Sequence, residues 1–199
     1  MLTDTLAQIE KSLRLQGGAS SDYDLNAPLD LPPGRKLRPA AVLILLQPGA
    51  YGLSVVLTKR SSALKHHPGQ IAFPGGKQDA EDADAVATSL REAREEIGLP
   101  DGHARVLGQL PPHETVTGFH VTPVLAFLET PFTFQPEAGE VDEVFLTPLS
   151  HVLNPENYLI EGRRWRGQVR RYYAVPYGPY YIWGATARML RAWADRMNS

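Results

Sequence analysis

Apolar residues recur along this chain with two periods, and the switches between them mark its elements. Leu2, Leu6, Ile9 and Leu13 return every three or four residues, which predicts a helix over residues 2–16 with Thr3 or Asp4 as its cap. Such a helix serves packing or an oligomer contact. Residues 17–38 hold Gly, Ser, Asp and Pro, including Pro32-Pro33-Gly34, and read as a long surface connection. Val, Ile and Leu then dominate Arg38–Gln47 and Leu53–Lys59, on either side of Pro48-Gly49 and Tyr51-Gly52. That pattern predicts a β-hairpin inside the main sheet. Gly69–Gly76 reads as a short strand and a glycine turn. An acidic loop and a second helix follow, in which Val86, Leu90, Ala93 and Ile97 share one face. Gly98 ends this helix in the left-handed region, and Pro100 keeps it from restarting.

Strands follow at Ala104–Leu110 and His120–Leu128, with Pro111–Phe119 as a loop between them and Pro123 at a bulge or an edge. Pro131–Gly139 is a connection. In the segment 140–149, Val141, Val144 and Phe145 face a core while Glu140 and Glu143 face out. Residues 158–175 form two strands around Gly167, and a last helix runs from Ile182 to about Met197. Strands rich in Val and Leu with helices between and after them predict an α/β chain whose sheet is covered on both faces.

The polar residues of the second helix change this picture. Glu92, Glu95 and Glu96 stand at i, i+3 and i+4, so they share a face distinct from the apolar one. Like charges at that spacing cost about 0.2–0.5 kcal/mol per pair. A divalent cation reverses the sign, and hard oxygen ligands suit Mg²⁺ or Mn²⁺. Two readings fit: a solvated face with an ordinary Arg91–Glu95 pair, or a cation site. Phe73-Pro74-Gly75-Gly76 just before the helix favours the second, because glycine lets backbone approach a ligand closely. Lys77, Asp79, Asp82 and Asp84 come next.

Composition narrows the function classes. The chain has 199 residues, enough for one domain, with 43% apolar and 21% charged residues. A net charge of −2 does not advertise nucleic-acid or membrane binding. No cysteine is present, so disulfides and thiol chemistry are excluded. The longest apolar run, Ala40–Leu46, is too short to span a bilayer, and no basic-then-apolar leader opens the chain, so a cytoplasmic protein is expected. Arg163, Arg164, Arg166, Arg170 and Arg171 interleave with Trp165, Tyr172 and Tyr173. Three readings of that stretch stay open: a single-stranded nucleic-acid platform, a holder for the adenine and 3′-phosphate of a CoA-like substrate, or an exposed charged hairpin.

Gly76, Arg91, Glu92, Glu95, Glu96 and Gly98 resemble the Nudix box, the signature of hydrolases that cut nucleoside diphosphates linked to another moiety. Asp82 stands where the box has its first Glu, with one extra residue before Arg91. A second stretch is similar to the segment that marks the coenzyme A-cleaving branch of that family. Leu57, Thr58, Arg60, Ser61, Gly69 and Phe73–Gly76 fit its register, with Val56 in place of Leu and Lys65 in place of Arg. Weaker echoes lie at 117–123, 140–149 and 182–187.

The resemblance implies a Nudix-type α/β/α sandwich with a mixed β-sheet in a single domain, residues 36–199, preceded by an N-terminal helix and connecting segment, residues 1–35. It implies catalytic roles for Arg91, Glu92, Glu95 and Glu96, with the three glutamates as ligands of Mg²⁺ or Mn²⁺. It implies substrate contacts from Arg60, Lys65, Gly75, Gly76 and Lys77, and one further carboxylate from Glu140 or Glu143. His66 and His67 add positive charge rather than metal ligands. The expected partner is a small nucleotide, CoA or a derivative, bound by a monomer or homodimer with no nucleic acid or membrane involved. The alternatives are another nucleoside diphosphate derivative such as ADP-ribose, or a Nudix-fold module that binds a nucleotide without cutting it.

Overall fold

The computed structural model describes residues 2–15, 17–26, 34–50, 52–165 and 167–198. The chain opens with helix α1 (Leu2–Leu13) and the short strand β1 (Ser20–Ser21). Thr3 and Asp4 lie inside α1 rather than at its cap, and the helix ends at Leu13, while Gln16 of the predicted helix lies outside the described residues. The predicted cap fails because the first turn already begins at Leu2. Pro32 and Pro33 of the predicted connection, Tyr51 of the predicted turn and Arg166 of the basic stretch lie outside the described residues.

The sheet grows from three long strands. They are β2 (Arg38–Gly49), β3 (Gly52–Arg60) and β8 (Phe119–Leu128). Between them in sequence come β4 (Ile71–Ala72), β5 (Gly75–Lys77), helix α2 (Ala85–Ile97), β6 (Ala104–Gln109) and β7 (His113–Glu114). Strand β9 (Val141–Pro148) follows and leads into the single-turn helix α3 (Leu149–Val152). A separate hairpin, β10 (Leu159–Trp165) and β11 (Gln168–Ala174), precedes the closing helix α4 (Ala185–Met197), which begins after Gly184 rather than at Ile182.

The sheet is mixed. Strand β2 runs parallel to β8 from Arg38–Phe119 to Leu46–Phe127, and antiparallel to β3. Pairing of β2 with β3 covers only Leu46 to Gly49 against Val55 to Gly52. Beyond that the two strands part, and the 71–77 segment fills the gap. There β4 pairs with β3, β5 pairs with β2, and Leu43 donates to the Pro74 carbonyl at 2.8 Å. The glycine segment is thus a strand rather than a turn. On its far side β3 pairs with β9, while β8 pairs with both β6 and β7.

Pro123 is at neither an edge nor a bulge of its own strand. It sits mid-way along the interior strand β8, where the neighbouring partner changes from β7 to β6. Its carbonyl accepts the Leu110 N–H at 2.9 Å. That junction tolerates a residue lacking an N–H, because the chain turns between two partner strands there.

Alternation along the long strands builds two cores. Ile44, Leu46, Val55, Leu57 and Leu125 face α1 and α4 with Ile9, Leu190 and Trp193. Leu43, Leu45, Val56, Val124 and Ala126 face the other way, onto Ala93 and Ile97 of α2. The sheet therefore separates α2 from α1 and α4, an α/β/α sandwich. No helix among the described residues is long and apolar enough to cross a membrane.

Candidate active site

Helix α2 is fixed at both ends by the local sequence. Asp84 accepts the Ala87 N–H at 2.9 Å as an N-cap, and Gly98 closes the helix at φ 71°. The 131–140 connection then folds back on the helix C-terminus. Gln135 and Glu137 donate their N–H groups to the carbonyls of Ile97 and Glu96, which satisfies groups the helix leaves open. With Ala93 and Ile97 buried in the sheet, the glutamate face is held against the gap filled by β5.

The three glutamates differ in environment. Glu96 is buried, with its side chain 5% exposed, and accepts the Gly75 N–H at 3.2 Å. Arg60, at the end of β3, brings Nη1 to 4.0 Å from its Oε1. Burial pushes the Glu96 carboxyl up to about 7, against the pull of the Gly75 N–H, and the charges of Glu92 and Glu140 add to the rise. Glu92 is raised as well, first by burial and further by Glu95 and Glu140, with Arg91 opposing. Glu95 is exposed.

Arg91 ties this face together with every N–H it has. Nε and Nη2 grip the two oxygens of Asp82 at 3.0 and 2.9 Å, and Nη2 also meets the Lys77 carbonyl at 3.1 Å. Nη1 bridges Glu92 at 3.0 Å and Glu95 at 2.9 Å. Asp82 is held in turn by the Asp79 N–H and the Thr88 hydroxyl, and its hydrogen bond from Arg91 keeps it well below the usual carboxylate range. Asp82 is therefore the clamp of Arg91.

At β5 a Cβ would clash at two glycines. Gly75 has φ 156°, and a Cβ there would lie 2.5 Å from the Ala41 carbonyl oxygen. A Cβ on Gly76 would lie 2.4 Å from Glu92 Oε1. The first clash is with backbone; the second is with the end of a side chain that can move. Gly76→Ala is therefore expected to fold but to displace the Glu92 carboxylate. Calorimetric titration with Mn²⁺ should show affinity reduced by roughly 10-fold or more, with Tm near the parent's. Unchanged affinity would detach Glu92 from the cation.

Other expected residues fall around this centre. Lys65 is exposed in the loop between β3 and β4, as are His66 and His67. Lys77 is exposed at the end of β5 and enters the network through its carbonyl. Among the described residues, neither lysine forms an ion pair with the glutamates. Glu140 leads into β9, where its carbonyl accepts the Ser61 N–H at 2.8 Å, and its charge reaches both buried glutamates. Glu143 is instead engaged by the Tyr180 hydroxyl.

Among the described residues no three acidic or imidazole groups converge as a ready ligand set. Arg91 holds two of the glutamates and the Gly75 N–H holds the third. The donors still suit a hard divalent cation: two inward carboxyls resist ionising beside one another, and a cation would relieve both. The sign follows. Between the ordinary value of 4.5 and about 7, the folded chain keeps a proton on Glu96 that the unfolded chain has lost, so the cation-free protein loses stability as pH rises through that window. A bound cation needs the ionised form, so its stabilisation grows over the same window. Thermal melts are expected to show a larger Mg²⁺- or Mn²⁺-induced gain in Tm at about pH 8 than at about pH 5.5. Glu96→Gln should flatten that difference; a gain independent of pH would contradict it.

The family model described as NUDIX domain matches residues 36–166. The uncharacterized Nudix hydrolase NudL of Enterobacter sp. (strain 638) is 42% identical over 158 residues, covering 77% of this chain and 80% of that protein. Its counterpart in Pectobacterium atrosepticum is 37% identical over 178 residues, covering 88% of this chain and 91% of the relative. Among solved structures, the MutT protein from Methanosarcina mazei Go1 superposes with a TM-score of 0.52 at 18% identity, over 83% of this chain and 98% of that one, a likeness of fold alone.

Proposed function

The chain belongs to the Nudix family, and from that premise we propose that it hydrolyses the diphosphate of coenzyme A or an acyl-CoA to 3′,5′-ADP and (acyl-)4′-phosphopantetheine. Membership makes it a pyrophosphohydrolase of nucleoside diphosphate derivatives, and such enzymes generally need a divalent cation such as Mg²⁺ or Mn²⁺. One observation carries the narrower substrate. Leu57, Thr58, Arg60, Ser61, Gly69 and Phe73–Gly76 keep the register of the CoA-cleaving pattern, and that segment supplies β3, β4 and β5, which bring Arg60 and Gly75 to Glu96.

In this reading Glu92 and Glu96 hold the cation, and Glu95 shares the load. A carbonyl oxygen of Gly75 or Gly76 would be a further donor to it. Bound there, Mg²⁺ or Mn²⁺ neutralises phosphate charge and lowers the pKa of a water. Arg91 acts by positioning: pinned by Asp82, it sets where Glu92 and Glu95 point. One glutamate takes the proton as water oxygen bonds to phosphorus, and the P–O anhydride bond breaks toward the departing phosphate. Arg60 offers its guanidinium to the diphosphate beside Glu96, and the exposed Lys65 and Lys77 serve the remaining phosphates.

Steady-state kinetics with CoA and with ADP-ribose at saturating Mg²⁺ test the substrate. CoA should give the higher kcat/KM. Arg60→Ala should lower kcat/KM for CoA by about tenfold or more, the loss of one charge-assisted contact, without lowering Tm. A preference for ADP-ribose would keep the enzyme class and refute the CoA reading.

A further inference from the structure

The β10–β11 hairpin stands outside the main sheet, and among the described residues β10 pairs only with β11. The direction of its free edge can be read from Asn26. That side chain accepts the Arg171 N–H at 2.8 Å and donates to the Arg171 carbonyl at 3.1 Å. Arg171 thus turns its backbone groups away from β10. In an antiparallel ladder the residue opposite, Gly162, must then turn its N–H and C=O outward too, as must Ile160 and Arg164 two positions either way. No backbone hydrogen bond engages these outward groups among the described residues.

The side chains along this edge are self-complementary. Glu161 and Arg163 flank Gly162 on one face, and Ile160 and Arg164 flank it on the other. Within the hairpin Arg163 lies directly opposite Arg170, and Glu161 accepts the Tyr181 hydroxyl at 2.7 Å. Ile160 is 56% exposed and Val169, opposite Arg164, is 60% exposed. An edge with unpaired backbone and exposed apolar residues is a template for another strand.

We propose that β10 pairs with β10 of a second copy of this chain, antiparallel and centred on Gly162, to form a four-stranded sheet across a two-fold axis. In that register the outward residues meet one another: Gly162 bonds Gly162 of the second copy, and Ile160 bonds Arg164. Glu161 comes to lie opposite Arg163 of the second copy, twice by symmetry, in the closely spaced non-hydrogen-bonded positions. On the other face Ile160 packs against the aliphatic stem of the second Arg164, beside Val169.

Sedimentation velocity over the micromolar range tests this. The parent should shift toward twice the chain mass as concentration rises. Glu161→Arg and Arg163→Glu each place like charges opposite one another, so either alone should weaken self-association by about tenfold or more. Mixing the two single variants in equal amounts should restore the dimer, because each then meets its opposite charge. Both positions are exposed, and circular dichroism should match the parent's. A parent that stays monomeric at high micromolar concentration overturns the proposal. So do single variants that dimerise as the parent does, and a mixture that remains monomeric.

Discussion

Glu96→Gln is expected to leave a folded protein with almost no activity, a loss of about 10²–10⁴-fold in kcat at saturating Mg²⁺. Glutamine keeps the shape and can still accept the Gly75 N–H. It removes the charge that a cation at this position needs. The fold should not suffer, because the parent carboxyl is buried and resists ionisation, with its value pushed up to about 7. The metal-free variant should therefore melt at or above the parent's temperature at about pH 8, where the parent pays for an ionised buried group. Loss of activity together with retained stability separates a functional carboxylate from a structural one. Turnover like the parent's would remove Glu96 from the chemistry.

Arg91→Met is expected to damage both activity and fold. Its guanidinium bonds Asp82, Glu92, Glu95 and the Lys77 carbonyl, and its side chain is 19% exposed. Removing it leaves Asp82, at 7% side-chain exposure, and Glu92, at 16%, each without its guanidinium partner. Deleting one partner of a fully buried pair costs roughly 3–5 kcal/mol, and the partial exposure of this network makes the expected loss smaller. Urea denaturation should show that loss, and kcat should fall while KM changes less, as expected of a residue that acts through the glutamates rather than on substrate. Part of the stability should return in Mn²⁺, which replaces the missing positive charge. A variant as stable as the parent would show that the network contributes nothing to the fold.

The parts of this site that were legible in the sequence are those set by local spacing. The apolar stripe of Val86, Leu90, Ala93 and Ile97, the three glutamates on another face and the Gly98 stop all follow from helical periodicity, and all stand in α2. The β2–β3 hairpin was legible for the same reason. What escaped depends on contacts across the fold. Asp82 is nine residues before Arg91, and nothing in its spacing says that an acidic loop bends it back onto the guanidinium. Strands of two or three residues are too short to show alternation: the short strand expected within Gly69–Gly76 stands as β4, but β5 reads in the sequence as a glycine turn. They exist because β2 and β3 part and leave edges to be filled. Between Glu140 and Glu143 the sequence had no distinguishing signal either, since it does not show that the charge of Glu140 acts on Glu92 and Glu96 while Glu143 takes the Tyr180 hydroxyl. Pro123 looked like an edge signal because the change of partner from β7 to β6 is a property of the sheet, not of the strand.

CoA hydrolysis is tested most directly by incubating the purified protein with CoA and Mg²⁺ or Mn²⁺ and identifying the products by mass. Equal amounts of 3′,5′-ADP and 4′-phosphopantetheine are expected, with none formed when the cation is chelated. Intact CoA after prolonged incubation with either cation would contradict it.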